Sequence, residues 1–360
     1  MDKYWVGFSS IEEVSSKFVL QLYNHFKNIE KAFNCSQKDL SEIEGLSIKK
    51  AEKFLKQRDS IDIDETFSKV IDNGISILTY EDLDYPYLLK EIANPPAVLY
   101  IKGDLKSCNL DKTVAVVGSR RASSNGKDSL QRILKDLANT DLCIVSGLAS
   151  GIDTTAHYSA IENNLKTIGV IASGFDFVYP ESNRNLYKMI EESSGAILTE
   201  YYPTFEPLKF RFPERNRIVT GISYGTLVVE AALKSGALIS ANLTLEQGRE
   251  LMCVPGLISN PNTQGIYKLL KNGATLVTEG EDILNALDWQ IKMPEQQSLN
   301  FIDVNSNEEK ILTSIEIEPK RFDSIQNETS LSTESLLENL TTLELKGIIK
   351  QVEGDRYAKV

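Results

Sequence analysis

The chain is poor in the residues that build metal and disulfide chemistry. Its 360 residues include 4 cysteines and 2 histidines. Cys35, Cys108, Cys143 and Cys253 are too far apart for a Cys-x-x-Cys clip. This spacing argues against a zinc ribbon, a disulfide scaffold or a His-rich metal enzyme, so no metal is expected. No apolar run reaches the ~18 residues of a membrane span. The first twenty residues carry acids and lack a signal-peptide core, so a reducing cytoplasm is the expected location. A basic excess is also missing: 39 Lys and Arg face 51 Asp and Glu, for a net charge of −12. Taken alone, that balance speaks against nucleic acid as a partner.

The charge is unevenly spread. Residues 112–290 hold 17 basic and 19 acidic side chains, a balance of −2, and the rest of the chain carries −10. Local clusters govern phosphate binding more than the global sum does.

Three regions follow from the hydrophobic periodicity. Residues 1–75 place apolar side chains at helical spacing, as in Val14–Phe26 and Lys49–Gln57. The turn Ile43–Ser47 resembles a helix-hairpin-helix or SAM-like module. It has one glycine where that hairpin usually has two, so a plain helical accessory domain is favoured. Residues 76–290 begin with a proline-rich connector and a short strand at Val98–Ile101. Seven apolar, β-branched runs then alternate with helical stretches, from Val114–Val117 to Ala274–Val277. Such alternation predicts an α/β fold with a doubly wound, mostly parallel sheet, whose ligands bind at the carboxyl ends of the strands. A polar linker is expected over 291–307. In 308–360, three helices and a hairpin turning at Glu353–Asp355 form a winged-helix pattern.

Four segments could hold phosphates. Gly118, Ser119, Arg120 and Arg121 follow the first long strand; the glycine permits close approach and an arginine forks onto a phosphate. Ser146 and Gly147 end the next strand. Lys209, Arg211, Phe212, Arg215, Asn216 and Arg217 form a basic run interleaved with aromatics, the composition of single-strand binders. Ser235, Gly236 and Ser240 offer a further set of donors. His157 is expected to satisfy a local hydrogen bond, Asp153 to cap a helix, and Glu230 to hold Arg120 or Arg217. No catalytic constellation accompanies them, and the chain is read as a binding protein without a cofactor.

The blocks GSRRAS, SGLASGIDTTAH, YPESNRNL, FPERNRI, LVVEAALKSGALISA and LEQGRELMCVPG, in this order, closely resemble the DprA/Smf family of bacterial DNA-processing proteins. The resemblance implies an extended Rossmann-like domain that binds single-stranded DNA and dimerises. It also implies help in loading the recombinase RecA during natural transformation, without enzymatic activity. By this resemblance Gly118, Ser119 and Arg120 hold one phosphate, and Ser146 and Gly147 a neighbouring one. Lys209, Arg211 and Phe212 grip the strand, while Arg215, Asn216 and Arg217 shape the pocket floor. One departure is Glu181, where some relatives carry a basic residue; Arg184 is the candidate to compensate. The acidic helix at Ser332–Leu343, with Glu334 and Glu338, suits a structural or protein-contact role better than duplex reading.

Two other classes remain open at this point. Gly225-Thr226 followed by Glu230 resembles an element of nucleotide-cleaving phosphoribohydrolases, with one residue too many between Thr and Glu. A nucleotide-sensing interaction module is the other.

Overall fold

The computed structural model describes residues 2–289, 305–315, 319–352 and 356–359. They form two compact units, divided between residues 291 and 292.

The first unit opens with six helices, α1 (Asp2–Ser9), α2 (Ser16–Phe26), α3 (Ile29–Phe33), α4 (Gln37–Ser41), α5 (Ile48–Arg58) and α6 (Ile63–Asp72). Trp5, Phe8, Leu22, Phe33 and Phe54 fill their core, with Phe8 stacked on Phe54 at 5.1 Å. The same cluster includes Val98, Tyr100 and Tyr202, so the helices share a core with the end of the sheet. Gly45 sits in the α4–α5 connection at φ +75°, a conformation that glycine adopts without strain.

The sheet has nine strands: β1 (Ser76–Thr79), β2 (Val98–Gly103), β3 (Thr113–Val117), β4 (Cys143–Ser146), β5 (Lys166–Val170), β6 (Ala196–Thr199), β7 (Gly225–Val228), β8 (Glu250–Cys253) and β9 (Thr275–Leu276). Their order is β1-β2-β6-β5-β4-β3-β7-β8-β9. From β6 to β9 all pairings are parallel, whereas β1 and β2 join antiparallel at one edge. All seven apolar runs predicted after residue 113 are strands. β1 was not foreseen, because a four-residue segment after six helices carries too little periodicity to stand out.

Helices cover both faces. The short α7 (Tyr87–Lys90) precedes β2. One face packs α8 (Ser124–Asp136), α9 (Ile152–Glu162), α10 (Arg184–Glu192) and α14 (Gly280–Ala286). The other packs α7, α11 (Arg211–Gly221), α12 (Gly236–Glu246) and α13 (Gln264–Lys271). Val114 and Val116 face the first layer, Ala115 and Val117 the second, which is why these strands read as continuous apolar runs. The strand order reverses between β3 and β7, and in sheets of this type the crevice at that point receives ligands.

The second unit contains α15 (Ser306–Ser314), β10 (Lys320–Arg321), α16 (Phe322–Thr329), α17 (Thr333–Leu345), β11 (Ile349–Val352) and β12 (Arg356–Lys359). Its sheet order is β10-β12-β11, giving the expected winged helix around Ile311, Ile325, Leu336 and Leu340. Residues 291–304 of the predicted linker and the Glu353–Asp355 turn lie outside the described residues. Among the described residues no helix is long and apolar enough to cross a membrane.

Candidate nucleic-acid interface

The carboxyl ends of β3, β4, β5 and β7 share one rim, as parallel order requires. The β3–α8 and β4–α9 crossings are clipped together there. Ile152 N–H donates to the Ser119 carbonyl at 3.2 Å. A Cβ on Gly151, at φ +85°, would stand 2.3 Å from that same oxygen. Close approach of two backbones therefore demands glycine at this position. Glu230 supports the rim from behind: its carboxylate accepts from Ser123 N–H at 3.0 Å and from Ser123 Oγ at 2.5 Å. The expectation that Glu230 holds Arg120 or Arg217 is thus corrected, since its bonds go to the start of α8 and to Asn260 at 3.2 Å.

Arg120 is exposed, and its guanidinium lies 5.2 Å from the Phe212 ring centroid. Phe212 in turn meets Tyr179 edge-on at 5.3 Å, and Tyr179 is 47% exposed. A cation and two rings from three crossings thus form one surface. Arg121 and Lys209 are also exposed. Gly118, Ser119 and Asn216 are half-buried nearby in sequence, and Ser119 Oγ accepts from Arg121 N–H at 3.1 Å. Tyr179 was not singled out in the sequence, because an aromatic before a proline is indistinguishable there from a core residue.

Burial divides the remaining candidates from this surface. Ser146 Oγ donates to the Val116 carbonyl at 2.7 Å and is fully buried. Gly147 is buried against the Arg215 guanidinium, 2.5 Å from where its Cβ would be. These two residues brace the rim and present no outward donor. Arg215, 3% exposed, donates to the carbonyls of Gly147 and Val170. Arg211, 2% exposed, bonds Glu12 at 2.6 Å and the Glu206 carbonyl, and lies over Tyr201 at 4.9 Å. Arg217 pairs with Glu200 at 2.7 Å, both largely buried. Lys209, Arg211 and Phe212 are expected to grip a strand and Arg215, Asn216 and Arg217 to floor its pocket; helical spacing divides the run differently. Arg211 and Arg215 share the inner face of α11 with Ile218 and Ile222, while Lys209 and Phe210 stay outside. Ser240 is buried inside α12, and the Ser235 hydroxyl is buried without a partner, which leaves Gly236 as the exposed member of that set. Glu181 and Arg184 neutralise each other through a two-pronged bridge at 2.6 and 2.9 Å.

Two titratable groups lie under the rim. Asp153 accepts from Ala149 N–H at 3.3 Å, so it secures the loop before its helix, and Gly151 occupies the N-cap. Burial raises its pKa to about 6, against the pull of Arg215. His157 Nδ1 is 2.7 Å from Thr167 Oγ1, whose own proton goes to the Ile144 carbonyl at 2.8 Å. Nδ1 is therefore the donor, as a local structural role requires. Nε2 is buried without a partner, and burial pushes the His157 pKa down to about 3. A histidine depressed in the folded state destabilises as pH falls from its unfolded value near 6.5, since only the unfolded chain takes the proton. Between pH 7 and pH 5 this costs about 2 kcal/mol. Asp153 acts in the opposite sense: its contribution is present at low pH and is lost as pH rises through about 6. Urea melts of His157→Asn at both pH values should show the histidine share of the acid loss removed, relative to the parent. An unchanged acid loss would refute the assignment.

The architecture defines a Rossmann-like α/β protein with a cation–aromatic strand-end rim, followed by a separate winged-helix unit. The family model for DNA recombination-mediator protein A matches residues 76–288, and that for the DprA winged helix domain matches 296–355. The chain belongs to this DprA/Smf family. It is 32% identical to Protein Smf of Synechocystis over 99% of this chain and 98% of that one. It is 43% identical to DNA processing protein DprA of Streptococcus pneumoniae over 57% and 72%. The X-ray structure of DprA from S. pneumoniae superposes with a TM-score of 0.69 at 35% identity, covering 78% of this chain and 95% of that one. A Helicobacter pylori DNA processing protein A, whose structure is described in terms of its single-stranded DNA binding mode, superposes with a TM-score of 0.53 at 32% identity, covering 60% and 97%.

Proposed function

We propose that this chain binds single-stranded DNA along the strand-end rim and acts in DNA processing during transformation as a homodimeric, cytoplasmic binding protein that passes the strand to RecA. The observation that carries the reading is Arg120 over Phe212 beside Tyr179. A guanidinium neutralises a phosphate while exposed rings stack on bases, the pairing that single strands require. The single-strand binding described for the H. pylori relative agrees with it. RecA loading and dimerisation rest on the family resemblance.

The test is a gel-shift series with oligonucleotides of rising length and duplex as competitor. Arg120, Arg121 and Lys209 are the exposed cations of the rim candidates. Each neutralised phosphate on a single strand contributes ~0.7 to the salt slope, so log affinity against log salt should fall with a slope of about −2 per protomer. A slope near zero, or equal competition by duplex, would sink the reading.

A further inference from the structure

The loop after β8 presents Leu257, 60% exposed, and Ile258, 84% exposed. Among the described residues no other two consecutive large apolar side chains are both exposed. Apolar residues scattered singly over a surface need no explanation, but an adjacent pair at a loop tip does.

The tip is braced from below. Thr263 Oγ1 donates to the Leu257 carbonyl at 2.7 Å, and Tyr267 Oη donates to that of Gly256. Two further bonds tie the loop to the β3–α8 crossing. Asn262 Nδ2 donates to the Arg121 carbonyl at 3.1 Å, and Asn260 Nδ2 donates at 3.2 Å to Glu230, the carboxylate that holds Ser123. Leu257, Ser123 and Asn125 border one recess of about 30 Å³. A surface ordered before its ligand arrives loses less freedom on binding.

The sheet order places this tip on the rim. The strands β3, β7 and β8 are consecutive and parallel, so the end of β8 stands about 10 Å from the end of β3, two strand spacings. Tyr179 follows β5, on the opposite side of β3. The crossing that carries Arg120 and Arg121 thus has exposed rings on one side and an exposed aliphatic pair on the other. The size of the pair selects its occupant. A stable protein interface takes ~20–30 residues a side, and the exposed neighbours Gly256, Ser259 and Pro261 add no further large side chain. Two side chains match the face of one base. Leu and Ile are among the apolar wedges that proteins insert between base steps, and a single strand has no duplex to open first.

We infer that Leu257 and Ile258 are a second base-contact point of the rim, covering one base of a single strand whose phosphates pass Arg120 and Arg121. The inference rests on the strand-binding reading of the rim and extends its track from Tyr179 to the loop after β8.

The test compares the full chain with its Leu257→Ser/Ile258→Ser variant, by anisotropy of a labelled oligonucleotide and of an abasic strand of equal length. The variant is expected to bind the oligonucleotide about tenfold more weakly, the order expected for partial burial of two such side chains. Its affinity for the abasic strand should equal the parent's, because that strand has no base to cover. Both side chains are exposed, so the melting temperature should hold; if the double variant melts early, Ile258→Ser alone decides, with an expected loss of about threefold. An equal loss on both strands, or no loss on the oligonucleotide, overturns the contact. A changed oligomeric state in the variant, read by sedimentation, assigns the tip to a second copy and overturns it as well. Arg120→Glu, measured alongside, separates the two readings. If it weakens binding and the tip variant does not, the tip alone is lost; if the parent binds no strand, rim and tip fall together.

Discussion

Arg120→Glu is expected to lower single-stranded DNA affinity at least about a hundredfold while leaving the protein folded. On the proposed reading the substitution removes a charge-assisted, forked phosphate contact, for about 1.5–3 kcal/mol. It also removes the cation from the Phe212 face, for about 0.5–2 kcal/mol, and adds a repelling carboxylate. Together these span about 2–5 kcal/mol before the repulsion is added, a range that takes in the ~2.7 kcal/mol of a hundredfold change. Folding should be spared because Arg120 is exposed, and the ring it lies over, Phe212, keeps its contact with Tyr179. Fluorescence anisotropy with a labelled oligonucleotide, beside a thermal melt of the same sample, measures both. A folded variant with parent affinity would remove Arg120 from the interface and the rim reading with it.

Arg215→Met should behave in the opposite way, with stability lost first. Arg215 satisfies two strand-end carbonyls and neighbours the buried Asp153. Burial lowers the Arg215 pKa and raises that of Asp153, so for both partners desolvation outweighs their attraction. Such a pair contributes little net stability as a pair, yet removing one member strands the other charge in the interior, at about 3–5 kcal/mol. For a unit of this size that corresponds to a melting temperature lower by roughly 10 °C. Adding Asp153→Asn to Arg215→Met should recover part of the loss, because the stranded charge is then gone. Calorimetry of the single and double variants checks this. A melting point unchanged in the single variant would show that the guanidinium braces nothing. DNA affinity should fall only as the Gly147 and Val170 strand ends loosen.

These two arginines lie within one recognisable set of motifs, and nothing in composition separates them. Arg120 follows a strand-end glycine in an irregular crossing, where a side chain has no inward face to occupy. Arg215 is four residues after Arg211 on a helix whose next turn is apolar, so both are carried inward with Ile218 and Ile222. That helical phase could have been read from the sequence. The local density of positive charge points the other way, toward a phosphate-binding site. Ser146 was misplaced for a related reason: a hydroxyl at a strand end is equally suited to an anion outside and to the neighbouring strand's carbonyl inside. Its bond to Val116 is a matter of pairing between β3 and β4, which no local pattern records.

Strand–helix alternation, hydrophobic period and strand-end glycines are local properties, and they were sufficient by themselves for the α/β class, the seven strands after residue 113 and the winged helix. Which cations reach solvent was decided only in three dimensions. The energy of an arginine depends on what surrounds it: Glu12, brought from a distant segment, and Tyr201 make burial tolerable for Arg211, whereas Arg120 lies over Phe212 at the surface.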